Sequence, residues 1–400
     1  MEPSNRPVVI GGGAAGLAAC LTLESAGHAP LLLEATHQLG GRWCTEQLPD
    51  GTSVDAGFQV LLTAYPELQR WLNLDTLDSV AFVPGARIFW RGRWRTLADP
   101  RRWPSSIPAT LKSGLGTWGD WWRILRLVGE VRSGASGPLQ SRQQEGTTLD
   151  FLHERGFSGE FIAGFLRPFF SGIFLDHALS PPPAQFLYTL RMFASGDVVR
   201  PVGGMRTLVD RLADGLKRTE VQFGQEVQEA AANEVTLSDG RIVTCNGVID
   251  TLPLKEGVEW NGCFNAIFKC DHPTFGRPII GLLPEARTVS NFHFMEDVQG
   301  AEGKNRLNVT ALITGEFDRE ATEAAMRRDL HDAGLETGAL EWCIHIPKAL
   351  PRMNQVRSCL DHPKDNRGVY VAGDHSAAPS LDAALRSGRV AAEHWLGDRG

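Results

Sequence analysis

Apolar positions along this chain fall into short β-type runs separated by helical runs, and their order is the first guide to the architecture. Val8-Val9-Ile10 has the β-branched, unbroken apolar character of a strand buried on both faces. A glycine-rich turn follows, and LAACLTLESAG then has the composition of a helix ending near Ala26-Gly27. Pro30-Leu31-Leu32-Leu33 predicts a second buried strand. After the glycine loop of residues 200–205, Leu208, Val209 and Leu212 carry helical spacing. Residues 220–223, 227–231, 234–237 and 243–251 predict strands, with Ser238-Asp239-Gly240 as a hairpin turn. Near the end, residues 369–372 predict a strand closing on Gly373-Asp374, and a helix starts at Ser380.

Two long stretches interrupt this α/β pattern. Residues 76–197 read as mainly helical and loop-like. The second alternates β-type runs at 263–270, 278–283, 288–295, 307–315 and 340–346, with one helix at about 317–333. Such a pattern predicts a mainly antiparallel sheet with helices packed on one side. The boundaries divide the chain into an α/β unit of residues 1–75, 198–256 and 351–400, and a second, α+β unit of residues 76–197 and 257–350.

A chain of 400 residues that is 42% hydrophobic and 22% charged is globular and long enough for more than one domain. Its net charge of -7 argues against nucleic-acid binding, which is driven by Lys and Arg displacing counterions. The seven cysteines are scattered without a CxxC, so neither a disulfide framework nor a zinc cluster is signalled, and a reducing cytoplasm fits. Residues 8–23 are apolar enough to suggest a targeting segment, but they are too short and glycine-rich to span a bilayer, and they contain a better explanation.

That explanation is GxGxxG, formed by Gly11, Gly13 and Gly16 between the first strand and its helix. Gly11 permits the tight turn, Gly13 lets a pyrophosphate approach the backbone, and Gly16 lets the helix close on the strand. The helix N-terminus, at Ala14 and Ala15, offers free N–H groups and a positive dipole. Glu34 closes the second strand at the spacing expected of an acid that accepts from adenosine ribose hydroxyls, and it would repel the 2′-phosphate of NADP. A second match at Gly114, Gly116 and Gly119 follows no strand and reads as chance.

Past Glu34 the sequence EATHQLGGRW carries a second glycine pair, Gly40-Gly41, followed by Arg42. Here, and in Asp55-Ala56-Gly57-Phe58-Gln59, the chain resembles the FAD-binding flavoprotein amine oxidase superfamily, which includes phytoene desaturases, protoporphyrinogen oxidases and monoamine oxidases. Its small bacterial desaturase-like members resemble it most. The resemblance implies a discontinuous Rossmann-like FAD-binding domain of the glutathione-reductase type, with an α+β substrate domain built from two insertions. It implies that Gly40, Gly41 and Arg42 wrap the pyrophosphate side, that Gly57, Phe58 and Gln59 pass close to the isoalloxazine, and that backbone near Val227 meets adenine. Gly373 and Asp374 would bind the ribityl or pyrophosphate region. The N-terminus of the last helix, at Leu381, Asp382 and Ala383, would face the flavin edge where charge appears on reduction. Asp382 and Ala383 stand where Asn and Gly are frequent. An acid facing that edge would oppose anionic reduced flavin, so Asp382 is expected to turn away. FAD is expected to be held non-covalently; Cys359, the thiol nearest Gly373, reads as a core residue.

The resemblance implies an FAD-dependent oxidoreductase that takes a hydride equivalent from a C–H or C–N bond and passes electrons to oxygen, a quinone or another acceptor. The favoured substrate is a lipophilic polyene, isoprenoid or cyclic compound. An amine oxidase is the rival within the class, and a flavin-stabilised binding protein without turnover is the rival outside it. Flavin carries the hard chemistry, so no nucleophilic triad or metal is expected. Lys269, Lys304 and Lys348 receive no role. Phe169, Phe170, Phe174 and Phe186 are read either as cavity wall or as core. With only three tyrosines, an aromatic amine cage is less favoured.

Residues 87–126 depart from the rest. Eight Arg and one Lys face two Asp there, a local excess of +7 in a chain of net -7, and six of the eleven tryptophans (90, 94, 103, 118, 121 and 122) share the stretch. Two readings stand side by side: a peripheral membrane contact, or a lid whose tryptophans pack on the second unit. The oligomeric state is left open.

Overall fold

The computed structural model describes residues 6–133, 146–253, 258–356 and 364–398. Its organising element is a five-stranded sheet in the order Glu220–Gln222, Leu31–Leu33, Val8–Ile10, Val248–Asp250 and Tyr370–Val371. Every pairing in it is parallel. Three separate stretches of chain contribute, so the two long interruptions leave and re-enter the same sheet. Val9, Leu32 and Ile249 face the helices Ala14–Ser25 and Leu381–Gly397, while Val8, Ile10, Leu31 and Val248 face a small antiparallel sheet carrying Ala230, Val235 and Leu237. With both faces covered, the strands need continuous apolar runs rather than alternation.

The run 243–251, expected as one strand, is two. Ile242–Thr244 belongs to the small antiparallel sheet and Val248–Asp250 to the parallel one, with the turn at residues 245–247 between them. Asn246-Gly247 marks the turn, and the apolar residues on both sides of it make the run look continuous.

The second sheet has seven strands in the order Leu340–Arg352, Glu259–Lys269, Arg306–Ile313, Val289–Phe294, Ile280–Leu282, Gly85–Trp90 and Arg93–Ala98. Only the pairing of Ile280–Leu282 with Gly85–Trp90 is parallel. The last two strands lie in the stretch expected to be helical and loop-like, which corrects that expectation. They form a hairpin about Arg91-Gly92, both at positive φ (52° and 71°), where Arg occupies a position more often filled by Asn, Asp or Gly.

The expectation of helices on one side is also corrected. Phe292 and Phe294 pack with Met326 and Leu330 of the helix Arg319–Asp332. Gly172, in the helix Arg167–Phe174, sits against Ser290 and Asn291, its missing Cβ 2.6 Å from the Asn291 amide nitrogen. All six residues of Val289–Phe294 are buried, as two covered faces require.

Phe170, Phe174 and Phe186 are buried in the core of the helical cluster, with the rings of Phe170 and Phe186 4.7 Å apart; the half-buried Phe169 packs on Phe170 and Phe193. They are packing residues of this cluster, and only Phe174 also borders a small recess. Among the six clustered tryptophans, Trp90 is buried and Trp94, Trp103 and Trp121 are half-buried, whereas Trp118 and Trp122 are 78% and 61% exposed.

Candidate functional site

The candidate site lies at the C-terminal edge of the parallel sheet, where its strands deliver loops rather than side chains. Gly11 turns at φ 92°, and Gly13 forms the N-cap of the helix Ala14–Ser25. A Cβ on Gly13 would meet no atom within 4 Å, whereas one on Gly16 would lie 1.9 Å from the Gly11 carbonyl oxygen. The first glycine therefore borders open space and the second closes the helix on the strand. The Gly40-Gly41 loop is tied to this turn: the Gly40 N–H donates to the Gly12 carbonyl (2.8 Å), and a Cβ on Gly41 would be 3.4 Å from the Gly13 Cα. Ala14 is half-buried. Ala15 is buried beneath the last helix, where a Cβ on Gly388 would stand 1.9 Å from the Ala15 carbonyl.

Glu34 is buried at the end of the second strand. Its Oε2 accepts from the Gly12 N–H (2.7 Å), and its Oε1 accepts from the N–H and hydroxyl of Thr36 (2.8 Å each). A carboxylate has about four acceptor sites, so one stays available beside the glycine turn. The Gln225 N–H donates to the Glu34 carbonyl (2.9 Å), which brings half-buried Val227, at the start of Val227–Ala231, to the same end of the sheet.

Arg42 and Asp374 come together from opposite ends of the sequence, with Nη2 to Oδ1 at 2.5 Å. Asp374 is buried and follows Gly373, whose N–H donates to the Ser387 hydroxyl (2.8 Å). The Gln59 amide donates to the carbonyls of Ala56 (2.6 Å) and Arg42 (2.9 Å), holding the Gly57-Phe58-Gln59 segment against the arginine loop. Phe58 packs on His293, ring centroids 5.0 Å apart. Burial, with the Arg200 guanidinium adding to it, pushes His293 down to about 3, so the imidazole is neutral. Asp55 faces elsewhere: it accepts from Arg200 Nε (3.1 Å), the Met205 N–H (2.8 Å) and the Thr45 hydroxyl (2.6 Å), a buried tie that fixes the loop before the helix Arg206–Asp214.

At the last helix, Ser380 is the N-cap and its hydroxyl accepts from the Ala383 N–H (3.1 Å). The N–H groups of Leu381 and Asp382 lie in the first turn, where helices leave donors without an intrahelical acceptor. The Asp382 carboxylate accepts from the Glu67 N–H (2.8 Å) and the Tyr188 hydroxyl (2.7 Å). It thus points at the helices Pro66–Trp71 and Pro183–Ser195. Burial raises its pKa despite these donors. Tyr65 stacks on Tyr188 (6.5 Å between centroids), and Glu67 is held by Arg389 at 2.6 Å. Beside Pro379, a recess of only about 10 Å3 is lined by Phe174, Gln185, Asn261, Leu350 and Pro351, among others.

The sequence reading did not foresee Arg200, Tyr188, Glu67, Arg389 or His293. Each meets its partner across at least 145 positions, so no local pattern encodes the contact. Lys269, Lys304 and Lys348 are exposed. Cys359 lies outside the described residues. Among the described residues, no cluster of three or more His, Cys, Asp or Glu side chains could hold a metal ion, and no helix is long and apolar enough to cross a membrane.

The donor set fits a flavin dinucleotide. Gly41 lies against Gly13, which borders open space, two helix N-termini open at the same sheet edge, and Glu34 and Arg42 supply one acceptor and one cation.

Comparison with known proteins agrees with this chemistry. The profile of the flavin containing amine oxidoreductase family matches residues 14–270. The chain is 40% identical over 166 residues to a 15-cis-phytoene desaturase of Narcissus pseudonarcissus, a match covering 37% of this chain and 28% of that protein. It therefore spans less than a third of the length of that curated relative. An oxidoreductase from Methanosarcina mazei superposes with a TM-score of 0.73 at 16% identity, covering 98% of this chain and 100% of its own. Wild-type putrescine oxidase bound to putrescine superposes with a TM-score of 0.68 at 15% identity, covering 98% and 99%.

Proposed function

Because the chain belongs to the flavin containing amine oxidoreductase family, and is thereby an FAD-dependent oxidoreductase, we propose that it takes a hydride equivalent from a lipophilic substrate, a polyene, isoprenoid or cyclic compound, and passes the electrons to oxygen, a quinone or another acceptor. The observation that carries the reading is the contact of the Gly13 and Gly41 loops at the sheet edge that also receives the last helix. We infer that the parallel sheet, with residues 1–75, 198–256 and 351–400, is a Rossmann-like FAD-binding domain, and that residues 76–197 and 257–350 form the substrate domain.

FAD, when bound, supplies the redox chemistry. The chain's own residues would hold and orient it without a covalent bond. Glu34 would accept from a ribose hydroxyl. The N–H groups at Ala14 and Ala15 would face the pyrophosphate, with Arg42 kept in place by Asp374. Leu381 and Asp382 would present N–H groups to the edge of the ring system, and the partners of the Asp382 carboxylate keep its charge directed away. Gly57, Phe58 and Gln59 would bound one side of the site.

The lipophilic reading is supported by similarity to a phytoene desaturase and by how the tyrosines are used. Tyr188 is bonded to Asp382, Tyr65 stacks on it, and Tyr370 donates to Asp398 (2.6 Å), so all three are engaged within the fold. An amine oxidase, favoured by the shape shared with putrescine oxidase, is the second reading. Anaerobic bleaching of the bound flavin separates them. Polyenes or porphyrinogens should bleach it and primary or secondary amines should not; bleaching by amines alone overturns the lipophilic reading, and no bleaching by any of them points to a binding protein. Acid precipitation should release the flavin, and fluorescence left on the pellet would show a covalent link.

A further inference from the structure

Nine large apolar side chains among the described residues are exposed, and five of them, Ile107, Leu111, Trp118, Trp122 and Leu125, lie within nineteen positions. Three sit on one helix, Trp118–Arg132. At 3.6 residues per turn, Trp118, Trp122, Leu125 and Gly129 fall within about 60° of arc. A Cβ on Gly129 would meet nothing within 4 Å, so the stripe is open along the helix. The opposite side is anchored: Leu127, Val128 and Val131 are buried in the helical core, and Trp121 packs on Phe161 at 5.5 Å. A capping box between Thr117 and Asp120 fixes the N-terminus. The helix is thus held rigidly with an apolar stripe turned outward.

Cations border the stripe. Arg126 lies on one flank with its guanidinium 5.4 Å from the Trp122 ring centroid, and Arg132 lies on the other. Of the acids on this helix, Asp120 is buried in the capping box and Glu130 is engaged by Arg126 and Arg155. Arg132 is exposed and has no carboxylate partner among the described residues.

Exposed indole rings backed by leucine and edged by the exposed arginines Arg126 and Arg132 match the chemistry of an anionic bilayer surface. Indoles settle at headgroup depth, aliphatic side chains enter the acyl boundary, and each cation gains from the surface potential. A second protein molecule would bring its own copy of the same cations against these. We propose that the Trp118-Trp122-Leu125 stripe, with Arg126 and Arg132, is a docking surface for an anionic membrane face. The inference stands independently of which substrate the enzyme uses. It also separates the two readings of the Trp-rich segment: Trp90, Trp94 and Trp121 are packing residues, and Trp118 and Trp122 are the membrane-facing ones.

The test uses the flavin-loaded full chain with vesicles of phosphatidylcholine containing phosphatidylglycerol, and with phosphatidylcholine alone. The wild type should co-sediment with the anionic vesicles at low salt, be released at high salt, and show a blue shift of tryptophan emission. Trp118→Ser/Trp122→Ser should lower binding by about tenfold or more while leaving flavin content and melting temperature unchanged. Trp121→Ser serves as the packing control and should lower the melting temperature instead. Absence of wild-type binding at low salt overturns the proposal, as does equal binding by the double variant. A wild-type dimer that dissociates in the double variant, without vesicle binding, would assign the surface to self-association and also overturn it.

Discussion

Alanine at Gly13 and at Gly16 should separate cofactor binding from folding, although the two glycines are three positions apart in one motif. At Gly16 the new Cβ would stand 1.9 Å from the Gly11 carbonyl oxygen, a backbone atom that no rotamer change can move. Relieving that overlap means shifting the helix Ala14–Ser25 by more than an ångström, and Ala15 is already in backbone contact with Gly388. Overpacking of this kind costs about 3 kcal/mol or more, the upper part of the usual range. At 2–4 °C per kcal/mol, the melting temperature of flavin-free Gly16→Ala should fall by at least about 5 °C. Gly13 has φ -77° and ψ -174°, which alanine adopts without strain, and its Cβ would meet nothing. The weaker N-cap preference of alanine is offset in part by the lower entropy of its unfolded chain, so flavin-free Gly13→Ala should stay within about 1 kcal/mol of wild type. The methyl would instead occupy space assigned to the pyrophosphate, and FAD affinity should drop by about 100-fold, or about 2.8 kcal/mol. Thermal unfolding of the deflavinated proteins and titration by quenching of FAD fluorescence measure the two effects separately. If Gly13→Ala bound FAD within about threefold of wild type, the phosphates would not pass this turn and the site would be misplaced.

Three further outcomes are expected. Asp55→Ala should cost about 3–5 kcal/mol in urea unfolding, because it leaves the buried Arg200 guanidinium without its carboxylate; a loss below about 1 kcal/mol would show that the pair is dispensable. The folded pKa of His293 is depressed to about 3, so the unfolded chain takes up a proton first and stability is lost as pH falls from about 6.5 toward 3. At pH 4.5 this amounts to about 2–3 kcal/mol, and His293→Gln should flatten the difference between pH 7 and pH 4.5, measured by urea midpoints, by about that amount. Asp382 has the opposite sense: its raised folded pKa means that its carboxylate weakens the fold as pH rises from the unfolded value of about 3.9 through the folded one. Asp382→Asn should therefore be neutral or stabilising at pH 7, while Asp382→Ala, which strands the Glu67 N–H and the Tyr188 hydroxyl, should cost about 1–3 kcal/mol; equal losses in both would refute the assignment.

What the sequence disclosed, and what it hid, follows the range of the interactions. The turn at Gly11, Gly13 and Gly16, the acid at Glu34 and the cap at Ser380 are local devices, each readable within a few positions because backbone geometry demands those residue types. The hairpin about Arg91-Gly92 was missed because its turn uses an uncommon residue and its strands earn their place only by pairing with Ile280–Leu282. The break between Ile242–Thr244 and Val248–Asp250 is marked only by Asn246-Gly247, a turn signal hidden by the apolar residues on both sides of it. Around Asp382, the sequence implied only that the acid turns away from the flavin edge, and the arrival of Tyr188 and Glu67 from distant helices explains where it turns and why it is buried. The aromatic series from Phe169 to Phe186 shows the converse: one spacing serves a cavity or a core, and packing partners decide which.

The parallel seam between Gly85–Trp90 and Ile280–Leu282 also sets a timetable for synthesis. The hairpin that ends at Ala98 leaves the ribosome about 180 residues before the strand that must cover its open edge, a wait of roughly 10–35 s at ordinary elongation rates. During that interval Ala86, Ile88 and Trp90 have no sheet to join, and the edge offers unpaired backbone groups to any other nascent strand. Yield in a heterologous host should thus respond to chaperone supply and elongation rate more than to measured stability. The strongly charged turn, Arg91 and Arg93 about a glycine, stands where a gatekeeper against such pairing is most needed.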